Sequence, residues 1–194
     1  MTRAAAEHAA ALLERQHRRI QALLTDVRLG RDRAAAFAEL VRLIVAHESV
    51  EQSLVYPIAH PPTDAARRSE QHQLLRALAE LYDLGVQHPE FDRKFAQFTD
   101  LMSTHLTHQN LRELPLVRNC ASPAYASRIT AAVELVETFA CVHRPVEPEP
   151  HRAVPPLSLF SRLCAAVDAG LGNRKSQAEL DTRPTPSSRS ALRS

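Results

Sequence analysis

Apolar residues recur every three or four positions through the first 144 residues, which is the spacing typical of amphipathic helices. Gly30 is the expected C-cap of the first helix, and Asp32 is the expected N-cap of the second. The pattern predicts helices over residues 5–28, 33–58, 64–86, 90–116 and 123–142, with the fourth ending near Pro115. Because the loops between the first four helices are short, an up-down-up-down four-helix bundle is expected, with the fifth helix added to it.

The pattern changes after Arg144, where prolines become frequent. A Pro-rich linker is expected there, followed by a short amphipathic helix over residues 157–171. From Asn173 onward the chain is polar and rich in Ser, Arg and Pro, so a disordered tail is expected. The predicted organisation is therefore a helical bundle over residues 5–143, with its four core helices in 5–118, and an extension over 144–194.

Ionisable side chains interrupt the apolar stripes of the predicted bundle. His47 and Glu51, four residues apart, share the apolar face of the second helix, and a carboxylate buried without a partner is costly. At about 1.5 Å per residue, His17 and His47 lie at similar distances from the turn between the first two helices. The same count places His72 of the third helix and His105 of the fourth helix at one height along the bundle. The predicted interior layer contains His17, His47, Glu51, His72 and His105.

A metal ion is the simplest partner for such a layer, because four imidazoles and a carboxylate are hard to satisfy by hydrogen bonds alone in a dry core. Imidazole with carboxylate suits iron, zinc, manganese or copper. The alternative from the residues is a polar layer that is satisfied internally, without an ion. A ferritin-like di-iron site is rejected, because the Glu-x-x-His spacing it needs on two helices occurs only once in the bundle, at Glu14 and His17.

The order of these residues resembles the hemerythrin-like (HHE cation-binding) family over roughly residues 9–118. The residues that carry the resemblance are His17, His47 with Glu51 and the following Tyr56-Pro57, Glu70-Gln71-His72, and His105 followed by Leu114-Pro115. The resemblance implies a four-helix bundle around a non-heme di-iron centre that binds or senses oxygen, or handles peroxide or nitric oxide. It also implies that His17 and His47 bind one iron, that His72 and His105 bind the other, and that Glu51 bridges them.

The chain departs from the family pattern at Gln109, where a second bridging carboxylate is expected. His108, its neighbour, is a candidate replacement ligand, although a partly exposed helix residue is an equally good interpretation. Glu113 is set aside because it lies two turns beyond His105. Arg76 stands where oxygen carriers of the family have another histidine, so reactivity or sensing is favoured over oxygen carriage. The expected cofactor is one or two iron ions, with zinc or manganese as alternatives.

Composition and charge limit the other function classes. The chain carries 24 basic and 22 acidic side chains, which leaves no basic footprint for nucleic acid. It has no apolar run long enough to span a membrane and no secretory leader, and its three cysteines have no paired spacing, so a cytoplasmic protein with free thiols is expected.

Three functions are compatible with the sequence. They are a sensor or reactant for a diatomic ligand or peroxide, a peroxide- or NO-consuming oxidoreductase, and a non-catalytic interaction module with a zinc-bound or metal-free histidine layer. No separate acid or base residue identifies an enzyme. The amphipathic segment after the linker is expected to dock on the bundle, with a protein partner or a membrane surface as alternatives; its polar face lacks the Lys and Arg density usual for membrane binding.

Overall fold

The computed structural model describes residues 2–59, 65–142 and 155–181, and side chains within 3–59, 66–138 and 155–170. These residues form six helices and no strand, which confirms the all-α prediction. Helices α1, α3, α5 and α6 are uninterrupted: Thr2–Arg28, Ala65–Leu84, Pro123–Val142 and Pro156–Asp181. Two helices contain a π-helical turn. Helix α2 consists of Arg33–Val50, Glu51–Val55 and Tyr56–Ala59, and α4 consists of Phe91–His108, Gln109–Glu113 and Leu114–Cys120.

The helices pack as a bundle in which α2 is the central element. It contacts α1, α3, α5 and α6, and residues 44–51, around its middle, are all buried. Helix α1 also packs on α5 and on the last turns of α4, while α3 packs on α4. Because this segment is buried on all sides, its polar residues, which are His47, Glu48, Ser49 and Glu51, lie inside the protein.

The turn between α1 and α2 has the predicted glycine cap. Gly30 has a φ of +71°, and its N–H donates to the Val27 carbonyl while the Arg31 N–H donates to the Asp26 carbonyl. This is the paired hydrogen-bond pattern that ends many helices at glycine. Asp32 stands at the predicted N-cap position, but its side chain makes no capping hydrogen bond.

The two π-helical turns occupy equivalent places in α2 and α4. One begins at Glu51 and the other at Gln109, and a proline, Pro57 or Pro115, follows two residues after each turn. A proline has no N–H to donate, and the wider turn before it lets the helix continue past this missing bond. The expectation that Pro115 ends the fourth helix is therefore wrong, because α4 runs on to Cys120.

The apolar face of α3 differs from the predicted one. The buried residues of α3 are Arg67, Gln71, Leu74, Leu75, Leu78 and Leu81, whereas His72 is exposed. Leu74 and Leu75 together mark the centre of the buried face. Residue 71 lies one helical turn before that centre, so it faces inward as well. Centring the buried face on Leu75 alone would turn His72 inward, which is how His72 came to be placed in the predicted layer.

Helix α6 docks on the bundle, as the first interpretation of the amphipathic segment expected. Leu159, Leu163 and Val167 are buried, and the helix contacts α2, α3 and α5. It continues to Asp181, and the disordered tail expected from Asn173 stays a prediction. The linker over 144–154 and the tail over 182–194 lie outside the described residues, and the domain boundary near residue 143 stays a prediction.

Candidate metal centre

Three predicted ligands meet in the interior between α1 and α2. His17, His47 and Glu51 are at most 2% exposed, and each offers one ligand atom within 4.8 Å of the other two. His17 comes from the buried face of α1, and the other two residues stand one turn apart on α2, at the start of its π-helical turn. We call these three residues the imidazole–carboxylate set.

Both imidazoles of the set are oriented through their Nδ1 atoms. His17 Nδ1 lies 2.8 Å from Asn110 Oδ1, and His47 Nδ1 lies 3.1 Å from Gln16 Oε1. Gln16 is itself held by Glu137, to which its amide nitrogen donates at 3.0 Å. When each Nδ1–H donates to its amide oxygen, the lone pairs of both Nε2 atoms remain available for a metal ion.

The free Nε2 atoms converge on one another. His17 Nε2 lies 3.2 Å from His47 Nε2, which also lies 3.2 Å from Gln109 Oε1. Burial, followed by the nearby His47, lowers the pKa of His17 to about 3, and burial lowers the pKa of His47. Both rings are therefore neutral, which is the protonation state that metal coordination requires.

Glu51 is the least satisfied member of the set. Neither carboxylate oxygen has a hydrogen-bond donor among the described residues, although both oxygens are buried, and Oε1 lies 4.0 Å from His47 Nε2. Burial raises the pKa of Glu51 well above its usual range, and Glu113 and Glu48 raise it further. A buried carboxylate without a donor is unusual, and a cation beside two neutral imidazoles would satisfy it. The set therefore fits a metal ion.

His105 is buried, as predicted, but it belongs to a different cluster. Its Nε2 lies 2.9 Å from Glu48 Oε1, and its Nδ1 lies 3.3 Å from Glu70 Oε1. Although burial alone would lower the pKa of His105, Glu48 and Glu70 raise it to about 10. When both ring nitrogens are protonated they donate to these carboxylates, and neither then offers a lone pair to a metal ion.

His72 does not reach the interior, and the prediction that it shares the buried layer is wrong. Gln71 takes the inward position instead. Its amide nitrogen donates to Glu48 Oε2 at 2.9 Å and lies 3.3 Å from the Glu48 carbonyl.

Gln109 and His108 have separate surroundings. Gln109 is fully buried and lies between two histidines, with Oε1 3.2 Å from His47 Nε2 and Nε2 2.8 Å from His105 Nε2. It therefore borders the imidazole–carboxylate set. His108 is partly exposed, and its Nδ1 lies 3.4 Å from Glu113 Oε1, so it faces a carboxylate rather than the set.

The structure adds residues that sequence reasoning does not select. Glu113 lies far from His105 along the chain, yet it is fully buried and acts electrostatically on Glu51. Arg67 is 7% exposed, and its two terminal nitrogens lie 2.5 Å from Glu113 Oε1 and from Glu70 Oε2. We call the cluster of Glu48, Arg67, Glu70, His105 and Glu113 the ion-pair network.

One signal in the sequence could have found Glu48. The four residues 43–46, which precede His47 and Glu48, are all apolar and together cover every side of a helix, so a carboxylate next to them is a candidate for burial.

Comparison with known proteins gives a family for most of the bundle. The model of the hemerythrin HHE cation binding domain matches residues 8–117, which contain every residue of the imidazole–carboxylate set and of the ion-pair network. No curated protein and no solved structure gives a significant match to the chain. None of the helices in the described residues has the length and apolar character needed to cross a bilayer.

Proposed function

Because the chain belongs to the hemerythrin HHE cation-binding domain family, we propose that it is a non-heme iron protein that senses or reacts with oxygen, peroxide or nitric oxide. The ion would be held by His17, His47 and Glu51. The predicted second iron ligands, His72 and His105, are not part of this proposal, because the former is exposed and the latter is bonded to carboxylates.

The observation that carries the proposal is the unsatisfied Glu51 carboxylate beside two neutral imidazoles. Two nitrogen donors and one oxygen donor suit iron, although zinc and manganese accept the same ligands. Three protein ligands leave coordination positions open, and bound iron would supply redox chemistry and a place for a small ligand there.

The burial of the site limits the size of the small molecule that we propose as its ligand. All three ligand residues are at most 2% exposed, so the ligand that we propose is as small as a diatomic molecule or a peroxide. A groove of about 580 Å³ between α3 and α4 reaches the interior at His105, whose neighbour Gln109 borders the imidazole–carboxylate set. This groove supports an entry route from the α3–α4 side. The enzymatic form of the proposal is a peroxide- or NO-consuming oxidoreductase.

A second candidate is a non-catalytic module in which the histidine layer binds zinc or nothing. The observation in its favour is the ion-pair network, in which His105 and Glu48 are satisfied by protein partners alone. In that case the docked helix α6 or the segments beyond it would provide a protein contact. The free thiols of Cys120 and Cys164 agree with the cytoplasmic location that we propose for either function.

Metal analysis separates the two candidates. Protein produced in iron-supplied cells should contain iron and should show an absorption change when peroxide or nitric oxide is added anaerobically. A His47→Ala variant should lose the iron, whereas His72→Ala, which removes an exposed imidazole, should retain it. Zinc alone, or no metal, in the wild-type protein would contradict the redox proposal.

A further inference from the structure

We infer that this chain binds a single metal ion, and that Arg67 with its carboxylate partners occupies the α3–α4 side of the buried layer, where the family resemblance implies a second ion. The inference rests on the proposed function, because it takes the imidazole–carboxylate set as the site of the one ion. It differs from the prediction of a di-iron centre in naming a protein cation in place of the second metal.

The first argument concerns the three fully buried carboxylates of the layer. Both oxygens of Glu48 have donors, His105 at 2.9 Å and Gln71 at 2.9 Å. Glu113 accepts from Arg67 at 2.5 Å and faces His108. Glu51 has no hydrogen-bond donor among the described residues. Glu51 is therefore the one carboxylate of the three with no hydrogen bond at either oxygen, and it belongs to the one group of three among the described residues that could hold a metal ion.

The second argument concerns the position of Arg67. A second ion in the predicted di-iron centre would join α3 to α4 through one ligand from each helix. Arg67 makes that connection itself, because it projects from α3, pairs with Glu113 of α4, and shares Glu70 with His105 of α4. A guanidinium stays charged under all ordinary conditions, so the cation is permanent.

The third argument concerns charge. Glu113 and Glu51 act on each other as like charges, and Arg67 is a cation that opposes both. A buried position between carboxylates that holds a fixed positive charge repels a second metal ion. Removing the guanidinium would leave Glu113 as an uncompensated buried charge, which a divalent cation could then neutralise.

The first experiment measures stoichiometry on the full chain. Purified metal-free protein is dialysed to equilibrium against excess Co²⁺, a probe that accepts the same ligands as iron, and bound metal is measured per chain. One ion per chain, lost in His47→Ala, supports the inference. Two ions per chain would overturn it while leaving the proposed function intact. No bound ion would overturn the proposed function and this inference together.

The second experiment exchanges the guanidinium for an apolar side chain. Arg67→Met should unfold at a lower temperature than wild type without metal, and Co²⁺ should raise its Tm more than that of wild type, with about twice as much metal bound per chain. Arg76→Met makes the same chemical change at an exposed position of α3 and should match wild type in both respects. If Arg67→Met bound one ion and had the metal response of wild type, Arg67 would not occupy a second metal position. If it failed to fold, the wild-type stoichiometry would still decide.

Discussion

Replacing Glu51 with glutamine is expected to stabilise the metal-free protein and to abolish metal binding. Both effects have the same cause. The Glu51 carboxylate is fully buried, has no donor among the described residues and faces Glu113, so without an ion it opposes folding. Glutamine has the same shape, removes the charge, and brings an N–H₂ group that can donate to Glu113. The same change removes the anionic ligand that the ion needs.

The expected gain follows from the cost of burying a polar group without a partner, about 1–3 kcal/mol in proteins. With a urea m-value of about 2 kcal/mol per molar, Glu51→Gln should raise the unfolding midpoint by roughly 1 M. The measurement is urea unfolding of metal-free protein in the presence of a chelator, with metal content measured separately on protein loaded with Co²⁺.

The stability gained by Glu51→Gln should also depend on pH. Burial and the neighbouring carboxylates raise the pKa of Glu51 above its ordinary value of 4.5. Burying Glu51 therefore lowers the stability of the wild-type protein only at pH values where Glu51 would be ionised in the unfolded chain. The penalty grows as the pH rises above 4.5 and is absent below it. The difference between Glu51→Gln and wild type should therefore be present at neutral pH and disappear in acid.

Glu48→Gln is the matched control, since it makes the same change on the same helix. Here both oxygens are bonded, one to His105 and the other to Gln71, so the substitution breaks a buried pair and should destabilise by about 3 kcal/mol. Opposite signs for the two variants are the expected result. If Glu51→Gln were as destabilising as Glu48→Gln, the Glu51 carboxylate would have a partner in the metal-free state and the argument for a cation would fail.

Three further predictions test the site and the fold. His47→Ala should weaken Co²⁺ affinity by more than the roughly 10–100-fold typical of losing an outer hydrogen-bond partner of a ligand, while His72→Ala should leave the affinity unchanged in the same titration. Gln109→Glu places a carboxylate where an amide oxygen now lies 3.2 Å from His47, so it should tighten Co²⁺ binding and lower the metal-free Tm; weaker binding in a titration would contradict this. Gly30→Ala should lower the Tm by about 3 °C in a thermal melt, because alanine is strained by about 1 kcal/mol at a φ of +71°, although nothing lies within 4 Å of the added carbon.

The sequence was sufficient to predict the helices and the half of the site that α1 and α2 provide. Helical spacing and Gly30 place α1 and α2 with an error of a few residues, and their registers then bring His17, His47 and Glu51 together. These two helices have continuous apolar stripes through the site, so the phase of each side chain can be counted along the chain.

The other half was not predictable by counting, for two physical reasons. In α3 the first two turns contain almost no apolar residues, so nothing local determines whether Gln71 or His72 faces inward; the leucines later in the helix decide it. In α4 the π-helical turn inserts one extra residue, which rotates the side chains beyond it by about 100° relative to an α-helix. Glu113 therefore reaches the interior, although simple helical counting places it too far along.

Comparing the two π-helical turns gives the strongest reason to place the metal ion on the side of the bundle that carries Glu51. Each comes after a buried histidine, each begins at the fourth residue after it, and each precedes a proline. The scaffold is thus the same in α2 and α4, and the difference lies in the residues at the start of the turns, Glu51 and Gln109. Around the neutral Gln109, His105 is satisfied by protein carboxylates, whereas around Glu51 a buried carboxyl group without a hydrogen-bond donor and two neutral imidazoles remain. The fold satisfies the buried polar groups around His105, yet it leaves Glu51 without a hydrogen-bond donor at a cost in stability. This combination is expected of a binding site.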